Sequence, residues 1–100
     1  MNVFLAEPNT RYDLSSLSGF GPVVSLSDTA LNPFSVNETL IKLSKGLIKM
    51  DPSEDYLCLT GNLLSVSLMM MIAYSKFSSF KILVFDARTS NYRERLVTHV

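Results

Sequence analysis

Cysteine and histidine each occur only once in the 100 residues. One of each cannot complete a tetrahedral zinc site within one chain, and a lone cysteine excludes a disulfide scaffold. His99 lies next to the end of the chain, where a general base is poorly held. Cys58 lies in an apolar stretch without a basic neighbour, which predicts a buried, unreactive thiol. These absences predict no metal and no cofactor, and they favour a protein that is not an enzyme.

The sequence also lacks an excess of charge of either sign. Nine basic residues balance nine acidic ones, and only 18% of the residues are charged. A nucleic-acid-binding protein usually carries a basic surface, so this balance gives no signal for such a partner. Hydrophobic residues make up 47% of the chain, which excludes a disordered protein. A single domain over residues 1–100 fits this length and composition.

Short apolar runs between polar turns indicate the secondary structure. Runs at 2–6, 23–26, 56–59 and 80–85 predict buried strands, and the alternation at 92–97 predicts an edge strand. The spacing of Ser35 and Glu38 is that of a capping box, and it predicts a helix that ends before Asp51-Pro52. Within that helix, Gly46 is expected to cost about 1 kcal/mol relative to alanine. Asn62 is expected to cap a second helix reaching residue 77.

The resulting order β-β-α-β-α-β-β predicts a small Rossmann-like α/β domain. Its sheet would have about five strands, and right-handed crossovers would make most of them parallel. The short turn at 86–91 makes the last strand an antiparallel edge strand.

The carboxyl ends of parallel strands are where such domains bind ligands. Gly61 and Asn62 follow the third strand and open a helix, and Asp86 ends the next strand. This arrangement suggests a minimal nucleotide- or phosphate-binding site as one alternative. The glycine fingerprint of such sites is incomplete, because Leu63 and Val66 occupy the other two glycine positions.

Other charged residues near the strand ends have ordinary explanations. Glu7, Asp28 and Asp86 show no paired spacing of the kind that would suggest a Mg²⁺ site. Arg93 and Arg95 alternate along the predicted edge strand, where charge opposes aggregation, and two arginines are too few for a nucleic-acid footprint.

The second helix is apolar on all sides, whereas a surface helix normally has a polar face. One side can pack on the sheet, and the other side then needs a cover. We expect a homodimer or a protein partner to cover it, although the loop at 11–21 or the first helix would also serve. The contacts expected at this interface are Leu64, Leu68, Met69, Met70 and Met71. The leading hypothesis is therefore a small non-enzymatic interaction or regulatory module.

A further alternative arises because residues 56–74 carry no charge and are long enough to cross a bilayer. Polar residues at 60–62 interrupt this run, and they are typical of a turn between a strand and a helix. The first nine residues lack the basic and apolar segments of a secretory signal, so we expect a cytoplasmic protein.

Overall fold

A computed structural model describes residues 1–8, 13–32 and 34–99. Arg11 and Tyr12, which begin the predicted loop, lie outside these residues. The elements in chain order are β1 (Val3–Leu5), a 3-10 turn (Ser15–Leu17), β2 (Val23–Ser25), α1 (Val36–Leu47), β3 (Tyr56–Cys58), α2 (Leu63–Lys76), β4 (Ser79–Asp86) and β5 (Asn91–Thr98). The predicted α/β fold is confirmed, with boundaries that differ from the predicted ones by a few residues.

Within the described residues, the strands form a five-stranded sheet in the order β2-β1-β3-β4-β5. The strands β2, β1, β3 and β4 are parallel to one another, and β5 is antiparallel to β4. The chain first moves from β1 to β2 at one edge and then crosses back over β1 to form β3. The strand order therefore reverses between β1 and β3, which is the point where open α/β sheets usually bind ligands.

The two faces of the sheet are covered differently. The helices α1 and α2 pack together on one face, above side chains such as Phe4, Leu57 and Phe80. The opposite face is covered near its centre by the segment around the 3-10 turn, whose Leu17 is fully buried with Tyr56 and other strand residues. The described part of the predicted loop, residues 13–21, therefore covers the sheet face opposite α2, and Leu63 and Met71 on the outer side of that helix are exposed.

Helix α1 begins after Ser35, as predicted, but the expected capping box is absent. The Ser35 side chain makes no capping hydrogen bond within the described residues. Its ψ of 79° departs from the extended conformation that turns a capping hydroxyl toward the helix, which Asn62 adopts with a ψ of 147°. Glu38 instead forms an ion pair with Lys42, at 3.0 Å.

Gly46 of α1 packs closely against Leu26, the residue after β2. A Cβ atom at this position would lie 2.5 Å from the backbone oxygen of Leu26 and 2.9 Å from its Cα. The absence of a side chain at Gly46 therefore allows α1 to pack against the Leu26 backbone, in addition to lowering the helix propensity.

Candidate functional site

The crevice at the reversal of strand order is closed by side-chain hydrogen bonds. Glu7 follows β1, and its carboxylate accepts from Asn62 Nδ2 at 2.6 Å and from the Leu31 N–H at 2.7 Å. Asn62 caps α2 as predicted, since its Oδ1 accepts from the Ser65 N–H at 2.8 Å. One carboxylate thus joins the end of β1 to the segments that lead into α1 and α2.

This closure opposes the binding of an anion at the start of α2. Helix N-termini attract phosphate because their N–H groups are free and their dipole is positive. Here the Asn62 side chain already occupies the Ser65 N–H, and the Glu7 carboxylate lies beside the cap. A phosphate at this point would therefore meet a negative charge at short range.

Two cavities lie at the sheet, and neither is lined by more than one of the three residues predicted for nucleotide binding. Gly61 lines a cavity of about 380 Å³ on the side of the 3-10 turn. The other residues lining it are Asp13, Leu59, Thr60, Phe85 and Tyr92. Asp86 instead lines a second cavity, of about 290 Å³, together with Arg93 and Arg95. Asn62 lines neither of them, and its side chain is hydrogen-bonded to Glu7.

The first cavity contains polar groups that bond to one another. The hydroxyl groups of Thr60 and Tyr92 are 2.7 Å apart, and the Cys58 thiol donates to Thr60 Oγ1 at 3.6 Å. Burial raises the pKa of Cys58, so the group stays a thiol and is a poor nucleophile. The Asp13 carboxylate accepts from the Ser15 N–H, which lowers the pKa of Asp13. Among the described lining residues, Asp13 is the group that could accept a proton, and its lowered pKa makes it a weak base.

Asp86 is held by arginines of the β4–β5 hairpin. Its carboxylate lies 2.7 Å from Arg93 Nε and 3.4 Å from Arg88 Nε. These hydrogen bonds, with the larger effect from Arg93, lower the pKa of Asp86. The acidic residue predicted to bind a ribose is therefore paired with two arginines of the hairpin in this structure.

The remaining candidates for catalysis or metal binding are also separated or occupied. Among the described residues, no three acidic, histidine or cysteine side chains come close enough to hold a metal ion. The ring of His99 stacks on Tyr74 with centroids 4.2 Å apart, and its Nε2 is hydrogen-bonded to the Tyr74 backbone oxygen. The contacts of this histidine are therefore with α2, away from the cavities.

The structure corrects part of the predicted interface on α2. Met69 is fully buried and Leu68 nearly so, and both belong to the core between the helices and the sheet. These side chains therefore stabilise the fold and are not available to a partner. Leu64 and Met70 are half-buried against the same core. Of the five predicted contacts, Met71 is the one that faces solvent, with 65% of its surface exposed.

The solvent-facing side of α2 forms an uncharged strip that we call the α2 stripe. It consists of Leu63, Ser67, Met71 and Tyr74, which are all exposed. Sequence reasoning missed Leu63 and Tyr74, because a helix without a polar face does not indicate which side is outward. The stripe residues are four, four and three positions apart, which places them on one side of a helix. The exposure of Met71 therefore identifies the other three as solvent-facing.

Residues 4–99 match the family model of the phage Pam3 gp32-like proteins. The chain belongs to this family. No curated protein and no solved structure matches it. The matched region extends from within β1 to the residue after β5, so it contains both cavities and the α2 stripe.

The uncharged run at 56–74 is divided between β3, a turn and α2. Among the described residues, no helix is both long and apolar enough to span a membrane.

Proposed function

We propose that this protein is a small non-enzymatic interaction module that forms a homodimer through the α2 stripe. The observation that carries this proposal is the exposure of large apolar side chains on one side of α2. Leu63 is 83% exposed, Met71 is 65% exposed and Tyr74 is 41% exposed. Clustered apolar surface of this kind is typical of a protein-binding site.

The stripe is suited to contact with a second copy of itself. It extends about 16 Å along the helix, at 1.5 Å per residue from Leu63 to Tyr74. In a two-fold antiparallel pair, Leu63 of each copy would pack near Tyr74 of the other, and the small Ser67 would lie near the centre. None of the stripe residues carries a charge, so no like charges would meet. Each fully buried Leu or Met side chain would contribute about 1.5–3 kcal/mol.

The chemistry of the two cavities supports a non-enzymatic role. In the first cavity, the hydroxyl groups of Thr60 and Tyr92 pair with each other, and the neighbouring Cys58 thiol is buried beneath them with a raised pKa. In the second, Asp86 is bound by arginines. The pKa values of the lining carboxyl groups Asp13 and Asp86 are lowered, whereas a carboxyl group that transfers protons near neutral pH usually has a raised pKa. We place the protein in the cytoplasm, where a single unpaired cysteine is stable.

The oligomeric state in solution tests this proposal. Size-exclusion chromatography with light scattering is expected to give a dimer for the wild-type chain and a monomer for Met71→Lys. Leu96→Lys is the matched control, because Leu96 is also 65% exposed but lies on the opposite sheet face, in line with Tyr92. Leu96→Lys should remain a dimer. Met71 is preferred to Met70 because the half-buried Met70 also supports the core.

Circular dichroism would establish that each variant is folded before its mass is interpreted. A monomeric wild-type chain at sub-millimolar concentration would overturn the proposal. A folded Met71→Lys dimer would also overturn it, because the lysine would then have no apolar contact to disrupt.

A further inference from the structure

The β4–β5 hairpin leaves a long strand edge open. Each of these strands has eight residues, whereas β1, β2 and β3 have three each. One side of β5 pairs with β4, and no strand of the described residues pairs with its other side. The backbone N–H and C=O groups along such an edge can pair with an added strand.

The open edge carries an excess of positive charge on one face. Arg93 and Arg95 are two residues apart, so both project on the face that also holds Val84 of β4. Arg93 is paired with Asp86, but no carboxylate of the described residues lies within ion-pairing distance of Arg95. Arg95 instead donates from Nη1 to the backbone oxygen of Glu94, at 2.7 Å.

A shallow cavity of about 290 Å³ lies beside these arginines. Val84 and Ala87 contribute apolar surface to it, and Val84 is 38% exposed. Phe85 and Leu96 project on the opposite face, where they are 45% and 65% exposed. The open edge therefore has guanidinium groups on one face and exposed apolar side chains on the other. This combination suits a segment in which carboxylates alternate with apolar residues.

We propose that the open edge of β5 binds an extended acidic segment of another protein, which adds a sixth strand to the sheet. Residues at alternate positions of that segment would face Arg93 and Arg95, because cross-strand neighbours project on the same face. The main-chain hydrogen bonds would supply affinity, and the arginines would select for negative charge.

A second copy of β5 suits this edge less well than an acidic segment. Antiparallel two-fold pairing centred on Glu94 would place Arg93 of one copy opposite Arg95 of the other. Pairing centred on Arg95 would place the two Arg95 side chains together. Like charges directly opposite one another destabilise a strand pair. The open edge of β5 is therefore expected to bind a different partner from the α2 stripe, which we propose to bind a second copy. The Met71→Lys change is expected to leave peptide binding at β5 unchanged.

A peptide titration followed by NMR of the labelled protein tests the proposal. The probe is a synthetic peptide of about eight residues that alternates Glu and Val, matched in length to β5. We expect chemical-shift changes at the backbone amides of Asn91–Thr98. A second peptide with Lys in place of Glu should bind at least about tenfold more weakly. A third, with alternate backbone nitrogens methylated, keeps the charge but cannot pair as a strand and should also lose affinity.

Charge-reversal variants show whether the affinity for the peptide depends on the charge at the β5 edge or only on the net charge of the protein. Arg95→Glu is expected to weaken binding of the Glu-Val peptide about tenfold. Lys49→Glu changes the net charge equally at an exposed residue just beyond α1, and it should leave the affinity unchanged.

Four outcomes would overturn the proposal: no binding, equal binding of the Lys peptide, equal binding of the methylated peptide, or equal weakening by Lys49→Glu. Full displacement of the peptide by a short single-stranded DNA would indicate a nucleic-acid site instead and would also overturn it.

Discussion

Replacement of Gly46 by alanine is expected to destabilise this protein, although the same change favours an isolated helix. Gly46 lies inside α1, where alanine gains about 1 kcal/mol in helix propensity. The new Cβ would, however, lie 2.5 Å from the Leu26 backbone oxygen, 2.8 Å from its Cβ and 2.9 Å from its Cα. Ordinary contacts between such atoms are about 3.5–4.0 Å, so α1 and Leu26 would have to separate by about 1 Å.

Leu26 cannot easily give way. Its N–H donates to the Leu5 backbone oxygen at 2.7 Å, and its side chain is buried in the core with Leu43 and Leu47 of α1. Overpacking of this kind costs about 1–3 kcal/mol of stability. We expect a cost in the upper part of that range, because the clash is with backbone atoms, which move less readily than a side chain. After the gain in propensity, the net loss is about 1–2 kcal/mol. For a domain of this size, such a loss lowers the Tm by about 4–15 °C.

Urea unfolding followed by circular dichroism would measure this effect. Gly19→Ala is the matched control, because no described heavy atom lies within 4 Å of its added Cβ and its φ is not in the left-handed region. That control should gain about 0.4–1 kcal/mol by restricting the unfolded chain. A Gly46→Ala variant as stable as wild type, beside a Gly19→Ala variant that behaves as expected, would refute the packing argument.

Two further predictions concern buried polar groups. The Ser65 hydroxyl is fully buried and has no hydrogen-bond partner among the described residues, so Ser65→Ala should raise the unfolding free energy by about 1 kcal/mol. A clear loss of stability in urea unfolding would mean that the hydroxyl is satisfied after all. Burial, reinforced by Glu94, raises the pKa of Tyr56 above its usual 10.0. The unfolded chain therefore ionises first, so this contribution to stability is complete below pH 10 and is lost as the pH rises through the folded pKa. Comparison of wild type with Tyr56→Phe from pH 8 to 11 should show a shallower decline in the variant; parallel curves would contradict the assignment.

Local signals in the sequence were enough to predict the elements and their order. The apolar runs of the strands and the Asn62 cap act over a few residues, and the structure confirms the cap through the Ser65 N–H. The antiparallel last strand followed from the short turn after Asp86, because so few residues cannot carry a crossover. The Ser35 capping box was a local prediction that failed, because the backbone at this position does not adopt the capping conformation.

The candidate site was less predictable because its contacts join distant parts of the chain. Glu7 and Asn62 are 55 residues apart, and their hydrogen bond depends on β1 lying beside β3. The buried Asp55 similarly accepts from the Asn2 N–H, 53 residues away. No pattern within a single chain specifies which strands become neighbours, so the closure of the crevice could not be inferred.

The sequence by itself determined that the second helix has more apolar surface than the sheet can cover. Only the tertiary structure decided which side of it faces outward. In an amphipathic helix, polar residues on one side indicate that the opposite side is buried. The helix α2 has too few polar residues for this inference. Its orientation is set by packing, which buries Met69 completely and leaves Leu63 and Met71 in solvent.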